Sequence, residues 1–173
     1  GLKINFFLIL VAVLICFKDL MELAKGFMKR RGVFLAALFC FGGVVTSQAE
    51  SPTVLLIVAP TKNHPLEYGI TRKVLQANDC MVKVACKGLS AKDMNGKHIR
   101  VDMDLNDVQA KNFDAVAVIG GYSVWKYVGD PVVGKLLSDY ATMGKPVGGI
   151  CAGAYVLGKV GLLKGKRATG PRS

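Results

Sequence analysis

From Thr53 onward the chain alternates short, wholly apolar runs with longer stretches in which apolar residues recur at helical spacing. Thr53 to Ala59 (T-V-L-L-I-V-A) and Phe113 to Ile119 (F-D-A-V-A-V-I) are rich in β-branched residues, the pattern of strands buried on both faces. Cys80 to Cys86, centred on Val82 and Val84, reads as another strand. Leu66 to Ala77 reads as a helix with Pro65 in its first turn and Leu66, Ile70, Val74 and Leu75 facing inward. Gly88 to Gly96 reads as a loop, His98 to Asp102 as a short edge strand, and Leu105 to Ala110 as a brief helix capped by Asp104. Pro131 to Met143 is the next amphipathic helix, with Val132, Val133, Leu136, Leu137 and Tyr140 facing in. Pro146 to Ile150 then forms a last strand that stops at Cys151, where helical spacing resumes over Ala152 to Lys159. Such alternation predicts an α/β fold with a mostly parallel sheet, right-handed crossovers and helices on both faces.

The break at Cys151 carries the chemistry. Gly149 and Gly153 flank it as G-x-C-x-G, the pattern of a nucleophile elbow, where a sharp strand-to-helix turn holds a side chain upright at the carboxyl edge of the sheet. A helix beginning at Ala152 favours an anion at its start, so Cys151 is expected to be more acidic than a free cysteine. The alternative is a small buried apolar cysteine. Glu67 and Gly120-Gly121 also follow strand ends, the edge at which open α/β sheets bind ligands. Glu67 is therefore the candidate acid and base, with first-turn dipole compensation as its alternative role. The backbone N–H groups of Gly121 and Ala152 are candidate oxyanion donors. His64 and Gly120 are accessory candidates, His64 otherwise being a solvated surface group. Two histidines and scattered cysteines give no metal-ligand spacing, and no cofactor is implied.

Composition changes the picture mainly at the N-terminus. The 173 residues carry a net charge of +11, and from Glu50 onward 17 Lys and Arg stand against 10 Asp and Glu. The basic residues are scattered and few aromatics lie among them, which describes a solvated surface and excludes a nucleic-acid footprint. Ile4 to Phe17 is an apolar run, short for a membrane span. Met28 opens M-K-R-R-G, followed by an apolar core from Val33 to Val45 and the small-residue site Ser47-Gln48-Ala49. That is the anatomy of a signal peptide cleaved after Ala49, and it predicts a periplasmic or secreted protein. The expected division is an upstream or anchor segment over 1–27, a signal peptide over 28–49 and one domain over 50–173. Membrane contact is expected only through the N-terminal apolar segment, and membrane anchoring by that segment is the alternative location. Three cysteines beyond the leader, Cys80, Cys86 and Cys151, give no disulfide framework.

Four stretches together resemble the ThiJ/PfpI family, within the class I glutamine amidotransferase-like superfamily. They are G-G-I-C-A-G-A-Y at 148–155, G-L-L-K-G-K-R-A-T at 161–169, F-D-A-V-A-V-I-G-G at 113–121, and the early Glu67. The resemblance runs from about Pro52 to Thr169 and implies a flavodoxin-like three-layer sandwich, dimeric in its full-length form. It implies a reactive Cys151 with Glu67 as its acidic partner, acting on a small carbonyl or amide substrate. Glyoxalase or deglycase chemistry is the expected activity. A redox or stress-sensing domain and a peptidase or amidase are the alternatives, the peptidase demoted because Ala152 stands where a histidine is wanted. The chain departs from the family at Ile119, where many members have proline, and at Pro171, where many have histidine. Family domains also continue further, so the domain is expected to be C-terminally incomplete.

Overall fold

The computed structural model of this protein describes residues 50–170. The proposed anchor, the signal peptide and the departure at Pro171 lie outside them.

Five strands form one parallel sheet in the order β5-β2-β1-β6-β7. They are β1 (Thr53–Ile57), β2 (Met81–Cys86), β5 (Met103–Asp104), β6 (Ala115–Val118) and β7 (Val147–Gly149). The central strand β1 pairs Val54 with Val82 on one side and with Ala115 on the other. Helix α1 (Pro65–Ala77) connects β1 to β2, α2 (Pro131–Thr142) connects β6 to β7, and α3 (Gly153–Val160) follows β7. The result is the expected flavodoxin-like arrangement with helices on both faces. Alternate residues of β1 sort the core: Leu55 and Ile57 pack with Val133, Leu137 and Tyr140 of α2 and Val156 of α3, while Val54 and Leu56 pack with Leu75 of α1. A strand buried on both faces has no polar side to alternate with, which is why the pattern of β1 is continuously apolar.

Several local readings are corrected. His98 to Asp102 is not an edge strand of the main sheet. Only β4 (His98–Ile99) is extended, and it pairs antiparallel with β3 (Ala91–Lys92), inside the stretch read as a loop. The sheet edge belongs instead to β5, two residues long. Asp104 does cap the next turn, accepting from Asn106 N at 2.8 Å, but the expected helix is two separate 3-10 turns, Leu105–Asp107 and Ala110–Asn112. A further 3-10 helix, Tyr122–Tyr127, had no counterpart in the sequence reading. The inward face of α1 is also rotated from the expected one. Its buried residues are Glu67, Thr71 and Leu75, whereas Leu66 and Val74 are exposed.

Candidate active site

Strand order reverses direction about β1, because the chain steps to β2 on one side and later returns to β6 on the other. The crevice at the carboxyl ends beside such a reversal is where open α/β sheets bind ligands. Glu67, Gly120 and Cys151 meet there. A Cβ placed on Gly120 would land on Glu67 Oε2, 2.7 Å from Ile150 O and 2.9 Å from Cys151 Cβ. Gly120 is thus the spacer on which the acid, the end of β7 and the nucleophile converge.

Cys151 adopts φ 52°, a left-handed conformation that costs a non-glycine residue about 1–3 kcal/mol and clusters at functional turns. The flanking glycines make that turn sterically feasible. A Cβ on Gly149 would lie 2.7 Å from Gly153 O, and one on Gly153 would collide with Val118 O. Cys151 is half-buried and packs against both halves of the core, while Cys80 and Cys86 are buried and reduced.

Glu67 is 4% exposed, a carboxyl held inside the protein. Burial pushes it up to about 7, against the Cys151 thiol and the Gly120 amide, which favour its charged form. Oε2 nevertheless closes no hydrogen bond of ordinary geometry. Cys151 corrects the sequence expectation. Burial, then the adjacent Glu67 carboxylate, pushes its thiol up to about 11, and the Ala152 N–H only partly offsets them. The helix-start effect is real but smaller than desolvation next to a like charge. Acid and thiol therefore compete for one proton, and protonating Glu67 removes the charge that opposes a thiolate.

Of the oxyanion candidates, the Ala152 N–H is turned toward the Cys151 sulfur. Neither Gly121 N–H nor Ala152 N–H donates to a carbonyl among the described residues. Gly121 has φ 129°, and a Cβ there would collide with Lys62 O and sit 2.8 Å from His64 N, so only glycine allows the two loops to approach so closely. The loop after β1 is laced to the loop after β6 by His64 N to Gly120 O at 3.2 Å, Tyr122 N to Lys62 O at 3.0 Å, and Thr61 Oγ1 to Ser123 Oγ at 2.9 Å. His64 caps α1, its Nδ1 accepting from Glu67 N at 3.4 Å, and burial pushes its pKa down. That nitrogen lies 3.9 Å from Glu67 Oε1, which makes His64 a neutral cap beside the acid and not a simple surface group.

Sequence reasoning missed Asn63 and Tyr127. Fully buried Asn63 accepts from Ala59 N at 2.8 Å and donates to Ala59 O at 2.7 Å and Lys92 O at 2.9 Å, fastening the loop that leads into the helix bearing Glu67. Tyr127 donates to Val58 O at 3.0 Å and anchors the 3-10 helix beyond Gly121 to the central strand. A lone Asn in a loop bounded by two prolines and a Tyr six residues past Gly-Gly carry no sequence signal that separates them from solvent-facing residues. A groove of about 470 Å³ along α3, walled by Trp125, Tyr155 and Lys159, lies beside the site and includes neither Cys151 nor Glu67. Among the described residues no group of three His, Cys, Asp or Glu is placed to hold a metal, and no helix is long and apolar enough to cross a membrane.

The profile of the DJ-1/PfpI family matches residues 52–173. The chain belongs to that family. YraA of Bacillus subtilis (strain 168), named for cysteine protease activity, is 38% identical over 87 residues, covering 49% of this chain and 52% of its own. A Caenorhabditis elegans protein named glutathione-independent glyoxalase DJR-1.2 is 32% identical over 110 residues, 63% of this chain and 59% of the relative. The crystal structure of Drosophila melanogaster DJ-1beta superposes with a TM-score of 0.58 at 31% identity, covering 64% of this chain and 61% of that one. The chain thus spans between half and three fifths of the length of these two sequence relatives. Relatives named for glyoxalase, deglycase and cysteine protease activity are thus among the proteins this chain is similar to.

Proposed function

We propose that the domain is a cysteine-dependent enzyme acting on small reactive carbonyls, of the glyoxalase or deglycase type, with Cys151 as nucleophile and Glu67 as the proton carrier. The observation that supports this most is the convergence of Glu67 and Cys151 on Gly120, with a carboxyl poised near neutrality. A base whose proton affinity matches the working pH transfers protons in both directions. Relatives named glyoxalase and deglycase favour the same reading.

With methylglyoxal the steps balance without an external oxidant. Glu67 takes the thiol proton as sulfur bonds to the aldehyde carbon, and the resulting oxyanion rests on the Gly121 and Ala152 N–H groups before receiving that proton. Glu67 then removes the hydrogen from the former aldehyde carbon as a proton and returns it to the neighbouring carbon, while the hydroxyl proton on the first carbon's oxygen passes to the neighbouring carbonyl oxygen, so the first carbon is oxidised and the second reduced. The product is a thioester. Water hydrolyses it to lactate and frees the thiol. The stem of Glu67 stays fixed while the proton moves, because its loop is tied down by Asn63 and its helix is capped by His64.

Glutathione-free conversion of methylglyoxal to lactate by the full chain tests the proposal. Cys151→Ala is expected to abolish it and Glu67→Gln to reduce it at least 100-fold. Lactate formation undiminished in Cys151→Ala, or oxidation of Cys151 with no turnover by the wild type, contradicts it.

A further inference from the structure

Helix α1 turns a second polar residue toward the interior. Thr71 lies one turn beyond Glu67 on the same buried face, is wholly inaccessible, and is followed on that face by Leu75. Its Oγ1 has no hydrogen-bond partner among the described residues, and neither has Glu67 Oε2. A threonine inside a helix normally gives its hydroxyl to the carbonyl one turn back, and Thr71 does not. Leaving a buried hydroxyl unpaired costs about 1–3 kcal/mol, whereas valine would fill nearly the same volume without that cost. The hydroxyl therefore needs a reason to be there.

Helical side chains lean toward the N-terminus, and residues four apart have Cβ atoms about 5–6 Å apart. Thr71 thus stands directly beneath Glu67, whose carboxyl reaches on toward Gly120 and Cys151. Buried waters typically serve pairs of otherwise unpaired polar groups. The titratable groups facing Glu67 are Cys151 from the elbow and His64 from the cap, and the β6 loop adds only the Gly120 amide. The thiol and the Gly120 amide both favour the charged carboxyl, yet Oε2 closes no hydrogen bond of ordinary geometry with them.

We infer that Thr71 is a positioning residue for Glu67: through one ordered water its hydroxyl hydrogen-bonds Oε2, fixing the carboxyl's orientation toward Cys151 and how readily it releases its proton. The inference rests on Glu67 being the proton carrier of the proposed reaction, and it specifies what sets that proton's affinity.

The test is the titration of the Glu67 carboxyl, followed by carbon NMR in the full chain carrying Thr71→Val or Thr71→Ser. Loss of a donor to the carboxylate disfavours its charged form. Thr71→Val is expected to move the Glu67 midpoint upward by about half a pH unit or more, with kcat falling and KM nearly unchanged, and Thr71→Ser to restore both. Should the valine variant not fold, Thr71→Ala gives the same readout. A midpoint in Thr71→Val or Thr71→Ala equal to the wild type overturns the inference. A midpoint that shifts in a protein with no methylglyoxal turnover upholds the positioning role and refutes the functional reading instead.

Discussion

Glu67 carries its own signature in stability. Its carboxyl titrates near 4.3 in an unfolded chain and about 7 in the fold, so above pH 7 the native state must hold a buried charge. That cost, on the order of 3–4 kcal/mol at pH 8, fades as pH falls from 7 to 4 and is gone below about 4. Glu67→Gln keeps the shape and removes the charge. Denaturant unfolding is therefore expected to show the glutamine variant more stable than the wild type at pH 8 by roughly 3 kcal/mol, with the difference shrinking between pH 7 and 4 and vanishing below about pH 4. Equal stability of the two proteins at pH 8 would mean that the carboxyl is not desolvated. Asn63 behaves in the opposite sense. Its amide satisfies backbone groups of two segments, so Asn63→Ala leaves buried partners unpaired and is expected to lower stability by about 2–3 kcal/mol, read from the denaturation midpoint.

At the scale of elements, the elbow depends on how closely backbones approach. A methyl group on Gly153 collides with the carbonyl of Val118 at the end of β6, which cannot swing aside as a side-chain tip can. Gly153→Ala is expected to destabilise the fold by about 1–3 kcal/mol and to slow Cys151 alkylation, because the shift displaces α3 and the elbow together. Gly120→Ala meets Glu67 Oε2 as well as Ile150 O. It is expected to leave a folded protein by circular dichroism with turnover reduced at least tenfold, since part of the clash is relieved by moving the carboxyl. The major strands and the elbow were legible in the sequence because wholly apolar runs and G-x-C-x-G have few other uses. The face of α1 was misread for a physical reason. Hydrophobic spacing pointed to Leu66 and Val74, yet the helix buries Glu67 and Thr71, polar residues that a periodicity argument assigns to solvent. Residues that break the amphipathic rule in this way are the ones the site uses. The short strands β3, β4 and β5, each two residues long, are too brief to leave a pattern.

Across the whole molecule, the segments that follow three strands, β1, β6 and β7, bring residues from distant stretches to one edge of the sheet, and that convergence could be anticipated from topology. The balance of charge at the edge could not. A helix start promised an acidic thiol, whereas the fold sets that thiol in a partly dry cleft beside a carboxylate, and desolvation with repulsion outweighs the helix. Export with cleavage after Ala49 remains a proposal, for which the N-terminal sequence of the mature protein should begin at Glu50.

The coupling between acid and thiol is the centre of this account, and the rate of Cys151 alkylation by iodoacetamide from pH 6 to 11, compared between the wild type and Glu67→Gln, measures it directly. A midpoint near 11 is expected in the wild type, falling by about one pH unit or more in Glu67→Gln as the opposing charge is removed. The variant thus gains thiolate while losing turnover. A midpoint that does not move, or that rises, would show that Glu67 does not govern Cys151.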